Sequence, residues 1–119
     1  MTIRYLFVPI DDVLQLAPLR ANISPKQVKA EEGESVIFNC SIKGHPVHSV
    51  TWVKNLNPVV ANSRIRYLSR DLLQVAPIVR EDKGMYQCFV TNDFGMAQGT
   101  AELSLGGKYT SLYTDFCLS

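Results

Sequence analysis

The chain has 119 residues, of which 46% are hydrophobic and 19% are charged, and its formal net charge is +1. This length fits one domain, and the composition excludes a disordered chain. The near-neutral charge excludes a nucleic-acid partner, and no run approaches the roughly 20 apolar residues of a membrane-spanning helix. We therefore expect one folded domain that recognises its partners by shape and does not insert directly into a membrane.

The domain is predicted to begin after a short N-terminal flank, residues 1–16. An apolar stretch at residues 6–10 is followed at once by Asp11 and Asp12, so it is too short to resemble a secretory signal well. The domain itself is predicted over residues 17–106, and residues 107–119 form a second flank without an alternating pattern.

Short alternating apolar runs, separated by Gly, Pro, Asn or Asp, fill the region from about residue 18 to residue 105. None of these runs keeps a helical period. The residues predicted to face inward along successive strands are Val36, Phe38, Cys40, Ile42, Val50, Trp52, Leu73, Val75, Ile78, Tyr86, Cys88, Val90, Ala101, Leu103 and Leu105. About seven main strands are expected, which predicts an all-β sandwich.

Two of the three cysteines, Cys40 and Cys88, lie in predicted strands on either side of Trp52, whereas Cys117 is two residues from the end of the chain. The spacings are 12 residues from Cys40 to Trp52 and 36 from Trp52 to Cys88. An immunoglobulin-like sandwich has this arrangement, in which a disulfide joins its two antiparallel sheets and a Trp packs against the bridge. Cys40 and Cys88 are therefore the predicted pair.

The second cysteine ends the pattern Asp82-x-Gly84-x-Tyr86-x-Cys88, and these residues complete the core signature of the predicted fold. Tyr86 fits a tyrosine corner, with its hydroxyl returning to the backbone near Asp82.

The redox state of the cysteines separates two classes of protein. Oxidised cysteines indicate an extracellular module, whereas reduced ones would fit an intracellular structural domain of a muscle-type giant protein. Asn22-Ile23-Ser24 and Asn39-Cys40-Ser41 are two candidate glycosylation sequons, and they favour the secretory route.

Four longer motifs extend this signature: Gly44-His45-Pro46-Val47, Val50-Thr51-Trp52-Val53-Lys54, the run from Glu81 to Asn92 that contains Met85-Tyr86-Gln87-Cys88-Phe89-Val90, and Ala101-Glu102-Leu103-Ser104-Leu105-Gly106. With these motifs, residues 17–106 resemble an I-set domain of the Dscam (Down syndrome cell adhesion molecule) family, particularly its arthropod members. The resemblance implies that Arg64 or Arg66 pairs with Asp82 at the base of the sandwich. The resemblance implies an extracellular module of a tandem-domain membrane receptor, with secreted isoforms also expected. It implies homophilic binding to the same receptor on an opposing cell, in neuronal recognition and in arthropod immunity.

Both flanks lack a counterpart in this resemblance. Gly107-Lys108-Tyr109 can be encoded by a splice-donor consensus, and Leu14-Gln15 by an acceptor ending. We therefore hypothesise that the flanks are translated from intronic sequence.

The sequence offers no candidate for catalysis, a cofactor or a metal. His45 and His48 lie in a turn without a nearby Cys, Asp or Glu to complete a metal shell. The acidic pairs fall in turns or in the N-terminal flank, and none accompanies an evident nucleophile. The chain is therefore predicted not to be an enzyme.

Two outward faces remain candidates for binding. On one sheet, Val53, Met85 and Phe89 alternate away from the core and are predicted to form an apolar patch. On the other sheet, the outward residues are Ile37, Asn39, Arg66 and Gln74, and Dscam-like domains can associate through that face. The sequence favours neither face, and a glycan on Asn39 would obstruct the second.

Overall fold

The computed structural model describes residues 17–106, which fold into two β-sheets packed face to face. The two predicted flanks and Cys117 lie outside the described residues. The nine strands are β1 (Arg20–Ser24), β2 (Gln27–Ala30), β3 (Val36–Lys43), β4 (Ser49–Lys54), β5 (Asn57–Pro58), β6 (Ile65–Ser69), β7 (Leu72–Val75), β8 (Gly84–Asn92) and β9 (Gly95–Leu105). The predicted all-β sandwich is confirmed.

One sheet has four strands in the order β1-β3-β7-β6, and the other has five in the order β2-β9-β8-β4-β5. Neighbouring strands are antiparallel, except that β2 runs parallel to β9. The structure divides the chain into more strands than the expected seven for two reasons. The N-terminal segment crosses from one sheet to the other between β1 and β2, and β5 is only two residues long.

The core lies between the sheets and is built from the inward residues of the alternating strands. Phe38 and Tyr86 are completely buried, and their ring centroids are 4.9 Å apart. Alternation explains this burial, because successive side chains of a strand point to opposite faces of the sheet. Of the residues predicted to face inward, Ile42, Val50 and Leu105 are half-buried and pack against the core. The others are buried: Val36, Phe38, Cys40, Trp52, Leu73, Val75, Ile78, Tyr86, Cys88, Val90, Ala101 and Leu103.

Two tight turns set the register of the five-stranded sheet. The β8–β9 hairpin turns through two residues, and the Asn92 side-chain oxygen accepts hydrogen bonds from the N–H groups of Phe94 (2.8 Å) and Gly95 (2.9 Å). The β4–β5 hairpin turns through Asn55 (φ 49°) and Leu56 (φ 70°). Positive φ at both positions is typical of the turn that matches the twist of paired strands. The registers of β4, β8 and β9 thereby determine which residues share an outer face.

Candidate recognition surface

The predicted disulfide joins Cys40 of β3 to Cys88 of β8, with their Cα atoms 6.4 Å apart. Trp52 lies opposite Cys88 in the β4–β8 register and is 2% exposed. Its indole N–H donates to the backbone carbonyl of Arg70 (2.9 Å), which satisfies the only polar group of the ring. Because all three signature side chains are buried, they stabilise the sandwich and offer no surface to a ligand.

The base of the sandwich contains a buried carboxylate, Asp82, which is 3% exposed. Its two oxygens accept hydrogen bonds from Arg64 (2.6 and 3.2 Å), and one of them also accepts the N–H of Val79 (2.8 Å). The hydrogen bond to Asp82 raises the pKa of Arg64. The pair therefore forms with Arg64, whereas Arg66 lies opposite Gln74 in the β6–β7 register.

The Tyr86 hydroxyl donates to the backbone carbonyl of Asp82 (2.6 Å), which is the predicted tyrosine corner. Burial raises the pKa of this hydroxyl. Gly84, between the two residues, has φ 149°, and a Cβ there would overlap the Asn55 side chain. The spacing of Asp82, Gly84 and Tyr86 is therefore explained by backbone geometry and by packing within the domain.

The outer side of the five-stranded sheet carries uncharged side chains over most of β4, β8 and β9. Glu102, opposite Met85, is the one charged residue at an outward position of these three strands, and it lies at one end of the surface. Alternation with the buried residues of β4, β8 and β9 identifies its members. We call this surface the uncharged face: Ser49, Thr51, Val53, Met85, Gln87, Phe89, Thr91, Met96, Gln98 and Thr100.

Phe89 lies at the centre of the uncharged face. It is half-buried, opposite Thr51 on β4 and Gln98 on β9. Met85 (43% exposed) and Met96 (63% exposed) lie towards opposite ends of the face. Hydroxyl and amide groups surround these apolar side chains, so the face combines an aromatic centre with uncharged hydrogen-bonding groups.

Some polar side chains of the uncharged face bond to one another. Gln87 donates to the Thr100 hydroxyl (3.4 Å), and the hydroxyls of Ser49 and Thr91 are hydrogen-bonded across β4 and β8. These pairs hold their side chains against the sheet, which reduces the entropy that a partner would have to remove on binding.

The predicted contribution of Val53 to an exposed apolar patch is wrong. Val53 lies on the outer side of β4 as expected, but it is only 9% exposed. Its neighbours in the register are Pro58 of the short strand β5 and Gln87 of β8, and they flank it on both sides. Of the three predicted residues, Met85 and the half-buried Phe89 contribute accessible surface.

The sequence reasoning missed the part of this face that β9 supplies, namely Met96, Gln98 and Thr100. The Asn92-Asp93-Phe94-Gly95 turn indicated how β9 pairs with β8. A two-residue hairpin fixes the register, so it places Met96 opposite Thr91 and Gln98 opposite Phe89.

The outer side of the four-stranded sheet differs in charge. Ile37, Gln74 and Arg66 form one row across β3, β7 and β6, and Asn39 lies nearby on β3. Within residues 17–106, the charged residues at outward strand positions of this sheet are all basic. We call this surface the basic face, and its outward residues are Arg20, Asn22, Ser24, Ile37, Asn39, Ser41, Lys43, Arg66, Leu68, Leu72 and Gln74.

The two histidines lie at the end of the sandwich near the β8–β9 turn. His48 is 3.3 Å from the Asp93 carboxylate, and both side chains are exposed. Across the described part of the chain, no group of three His, Cys, Asp or Glu side chains is arranged to hold a metal. Residues 17–106 also contain no helix long and apolar enough to cross a membrane.

The family model of the immunoglobulin I-set domain matches residues 19–105. Among known proteins, the cell adhesion molecule Dscam1 of Drosophila melanogaster is 38% identical over 93 residues, which is 78% of this chain. Human neogenin is 37% identical over 66% of the chain, and the human cell adhesion molecule DSCAM is 32% identical over 83%. The chain spans only 4 to 5% of the length of these relatives.

Solved structures agree with the sequence comparison. A structure concerned with Dscam isoform specificity superposes with a TM-score of 0.66 at 38% identity, covering 76% of this chain and 21% of that one. The eight N-terminal Ig domains of DSCAM isoform 1.30.30 give a TM-score of 0.67 at 37% identity, covering 77% of this chain and 13% of that one.

Proposed function

The chain belongs to the immunoglobulin I-set domain family, and from this membership we propose that it is an extracellular recognition module of a larger cell-surface receptor. The family fold is a non-enzymatic one, so its function lies in binding. The Cys40–Cys88 disulfide supports an oxidising, extracellular environment over the intracellular muscle-type alternative, because thiols are kept reduced in the cytosol.

The uncharged face is the observation that carries this proposal. The centres of protein interfaces are depleted in charged residues and enriched in aromatic residues and Met. The ten residues of the face include Phe89, Met85 and Met96, and the charged Glu102 lies at its edge, opposite Met85. A contact centred on Phe89 therefore leaves Glu102 at its rim, and Phe89 supplies the aromatic anchor.

A second copy of the same domain is the partner that this face suits best. In a twofold contact, the same patch of both copies forms the interface. A patch that carries charges of one sign therefore faces the same charges on the second copy. The centre of the uncharged face has no charge to repel a second copy, and Glu102 lies at its edge. The basic face would oppose Arg20, Lys43 and Arg66 to a second basic surface, which disfavours homophilic contact there.

The contact of one domain is small. With strands about 4.8 Å apart and a rise of about 3.4 Å per residue, three strands over seven residues cover roughly 340 Å². Stable interfaces bury about 800 Å² on each partner. A lone domain is therefore expected to bind its copy weakly, and useful adhesion arises when several domains of one receptor act together.

The relatives supply the biological setting of the proposal. Dscam1 and DSCAM are named cell adhesion molecules, and one of the similar structures concerns isoform specificity. By analogy, the whole receptor would mediate homophilic recognition between cells, in neuronal recognition and in arthropod immunity.

A bead-aggregation assay tests the proposed function. Beads that display many copies of the chain should aggregate with one another and leave beads that display an unrelated I-set domain in suspension. Reduction of the disulfide provides a control in which the fold is lost. Dispersed beads at high surface density of the folded chain would contradict homophilic recognition by this domain.

A further inference from the structure

The asparagine side chains of the domain fall into two groups. The chain has six asparagines, and four of them use their side-chain amides in hydrogen bonds: Asn55, Asn57, Asn62 and Asn92. Asn22 and Asn39 are exposed, and neither side chain makes a hydrogen bond within residues 17–106. These two are also the asparagines that begin glycosylation sequons.

Neither position favours asparagine for a structural reason. Asn is depleted in strands, and both residues lie inside strands, Asn22 in β1 and Asn39 in β3. Their side chains point away from the core, because the residues on either side of each are buried. The register also places each asparagine beside the hydroxyl residue of the other sequon, Asn22 opposite Ser41 and Asn39 opposite Ser24.

We propose that Asn39 carries an N-linked glycan, transferred before the Cys40–Cys88 bridge closes. In the transfer, the Asn39 side-chain nitrogen attacks the anomeric carbon of the first N-acetylglucosamine of a lipid-linked oligosaccharide. A C–N bond forms, the C–O bond to the lipid diphosphate breaks, the lipid diphosphate leaves, and the nitrogen loses one proton. The donor is the oligosaccharide diphosphate lipid of the secretory pathway.

Asn39 is the better acceptor of the two because the residues next to the sequons differ. Ser24 is followed directly by Pro25, whose ring fixes φ and removes the backbone N–H. The transferring enzyme binds its acceptor as a flexible extended segment, so a rigid residue beside the hydroxyl position disfavours transfer to Asn22. Ser41 is followed by Ile42, which imposes no such restriction.

The timing depends on the place of Asn39 in the fold. β3 pairs with β1 on one side and β7 on the other, so the folded backbone around Asn39 is not free to enter an enzyme. Its neighbour Cys40 becomes fixed when it bonds to Cys88, 48 residues later in the chain. The segment around Asn39 enters the secretory compartment before Cys88 does, which leaves an interval for the transfer.

A glycan at Asn39 would cover the centre of the basic face. Asn39 has Ser24 and Leu72 as its cross-strand neighbours, and a branched sugar would extend over Arg66 and Gln74 on the adjacent strands. The uncharged face lies on the opposite side of the sandwich and would remain open. The glycan rests on the proposed function in one respect, because the chain must enter the secretory pathway, but it does not depend on which face binds a partner.

The test is expression of the chain behind a secretory signal in cultured animal cells, followed by peptide N-glycosidase digestion and peptide mass spectrometry. The enzyme leaves aspartate in place of each glycosylated asparagine, which identifies the site. We expect conversion at Asn39. Ser41→Ala should abolish it, whereas the matched control Ser41→Thr should keep it, because threonine preserves the sequon. Secreted chain without a glycan, or with a glycan at Asn22 alone, would overturn the proposal.

A second variant tests the competition with disulfide formation. Cys88→Ser removes the partner of Cys40, so the segment stays accessible for longer and the glycosylated fraction at Asn39 should rise. This fraction is measured on total cell protein, because the transfer precedes folding and the variant need not be secreted. A fraction that is short of full occupancy in the original chain and does not rise in the variant, or a fraction that falls, would overturn the proposed order of events.

Discussion

The Arg64 guanidinium and the Asp82 carboxylate are joined by two hydrogen bonds, of 2.6 and 3.2 Å, at the base of the sandwich. The Asp82 side chain is 4% exposed and that of Arg64 is 27% exposed. The carboxylate therefore depends on Arg64 for the compensation of its buried charge.

Arg64→Ala should destabilise the domain by about 2–3 kcal/mol. Removal of one partner of a buried pair costs about 3–5 kcal/mol, and the partial exposure of Arg64 reduces that figure. Arg66→Ala is the matched control, because this arginine is exposed on the basic face, and it should change stability by less than about 0.5 kcal/mol. Urea unfolding followed by Trp52 fluorescence measures both, and equal losses would mean that the ion pair contributes nothing specific.

Tyr86→Phe should change how stability depends on pH. Burial raises the pKa of the Tyr86 hydroxyl, so the stability that its neutral form provides is complete below the unfolded pKa, near 10. That stability is lost as the pH rises above 10, because the unfolded state releases its proton first.

The phenylalanine variant lacks this titration. At pH 7 it should be less stable than the original chain by about 0.5–1.5 kcal/mol, the contribution of one hydrogen bond. Above pH 10 the gap should narrow, since only the original chain continues to lose stability through this group. Urea unfolding at several pH values measures the gap, and a gap that stays constant up to pH 11 would contradict the explanation.

Leu56→Gly should stabilise the domain. Leu56 has φ 70° in the β4–β5 turn, and its side chain is 79% exposed. A non-glycine residue in this region costs about 1–2 kcal/mol, which exceeds the additional chain entropy that glycine loses on folding. We expect a gain of about 0.5–1 kcal/mol in thermal or urea unfolding. Leu68→Gly, within β6, should be destabilising, and a loss at Leu56 as well would show that its backbone carries no strain.

Trp52→Ala should cost about 3–5 kcal/mol, as deletion of a large buried aromatic ring does. The ring is 2% exposed, and its N–H is bonded to Arg70. His45→Ala should cost less than about 0.5 kcal/mol, because this side chain is exposed in a loop. Similar losses in the two variants would be incompatible with Trp52 as a core residue.

The core could be predicted from the sequence because its signal is local. Alternation along a strand assigns each side chain to one face, so Phe38, Cys40, Tyr86 and Cys88 were identified as inward residues before any pairing of strands was known. The disulfide was predicted from the same pattern and from the position of Trp52 between the two cysteines.

The details that the sequence predicted wrongly or left open depend on contacts between strands. Alternation placed Val53 on the outer side of β4, but its burial comes from Pro58 and Gln87 on the neighbouring strands. The choice between Arg64 and Arg66 likewise depends on where β6 begins relative to the base of the sandwich. Neither fact is encoded in the spacing of residues along one strand.

The charge of the two outer faces also became visible only with the register. The sequence has acidic and basic residues interspersed along its length, yet the outward positions of β4, β8 and β9 other than Glu102 combine into one uncharged face. The two-residue turn at Asn92 to Gly95 determines the register of β9. The contribution of β9 to this face could therefore have been predicted from the sequence, but it was missed.

The most direct test of recognition through the uncharged face is sedimentation equilibrium of Phe89→Asp at high protein concentration. The original chain should show weak, reversible self-association. The variant should remain a monomer, because a carboxylate at the centre of the contact would have to be desolvated without a partner. Gln74→Lys, on the basic face, is the matched control and should associate as the original chain does. Near-ultraviolet circular dichroism of Trp52 verifies that each variant is folded. A folded Phe89→Asp variant that still self-associates would contradict the assignment of the uncharged face.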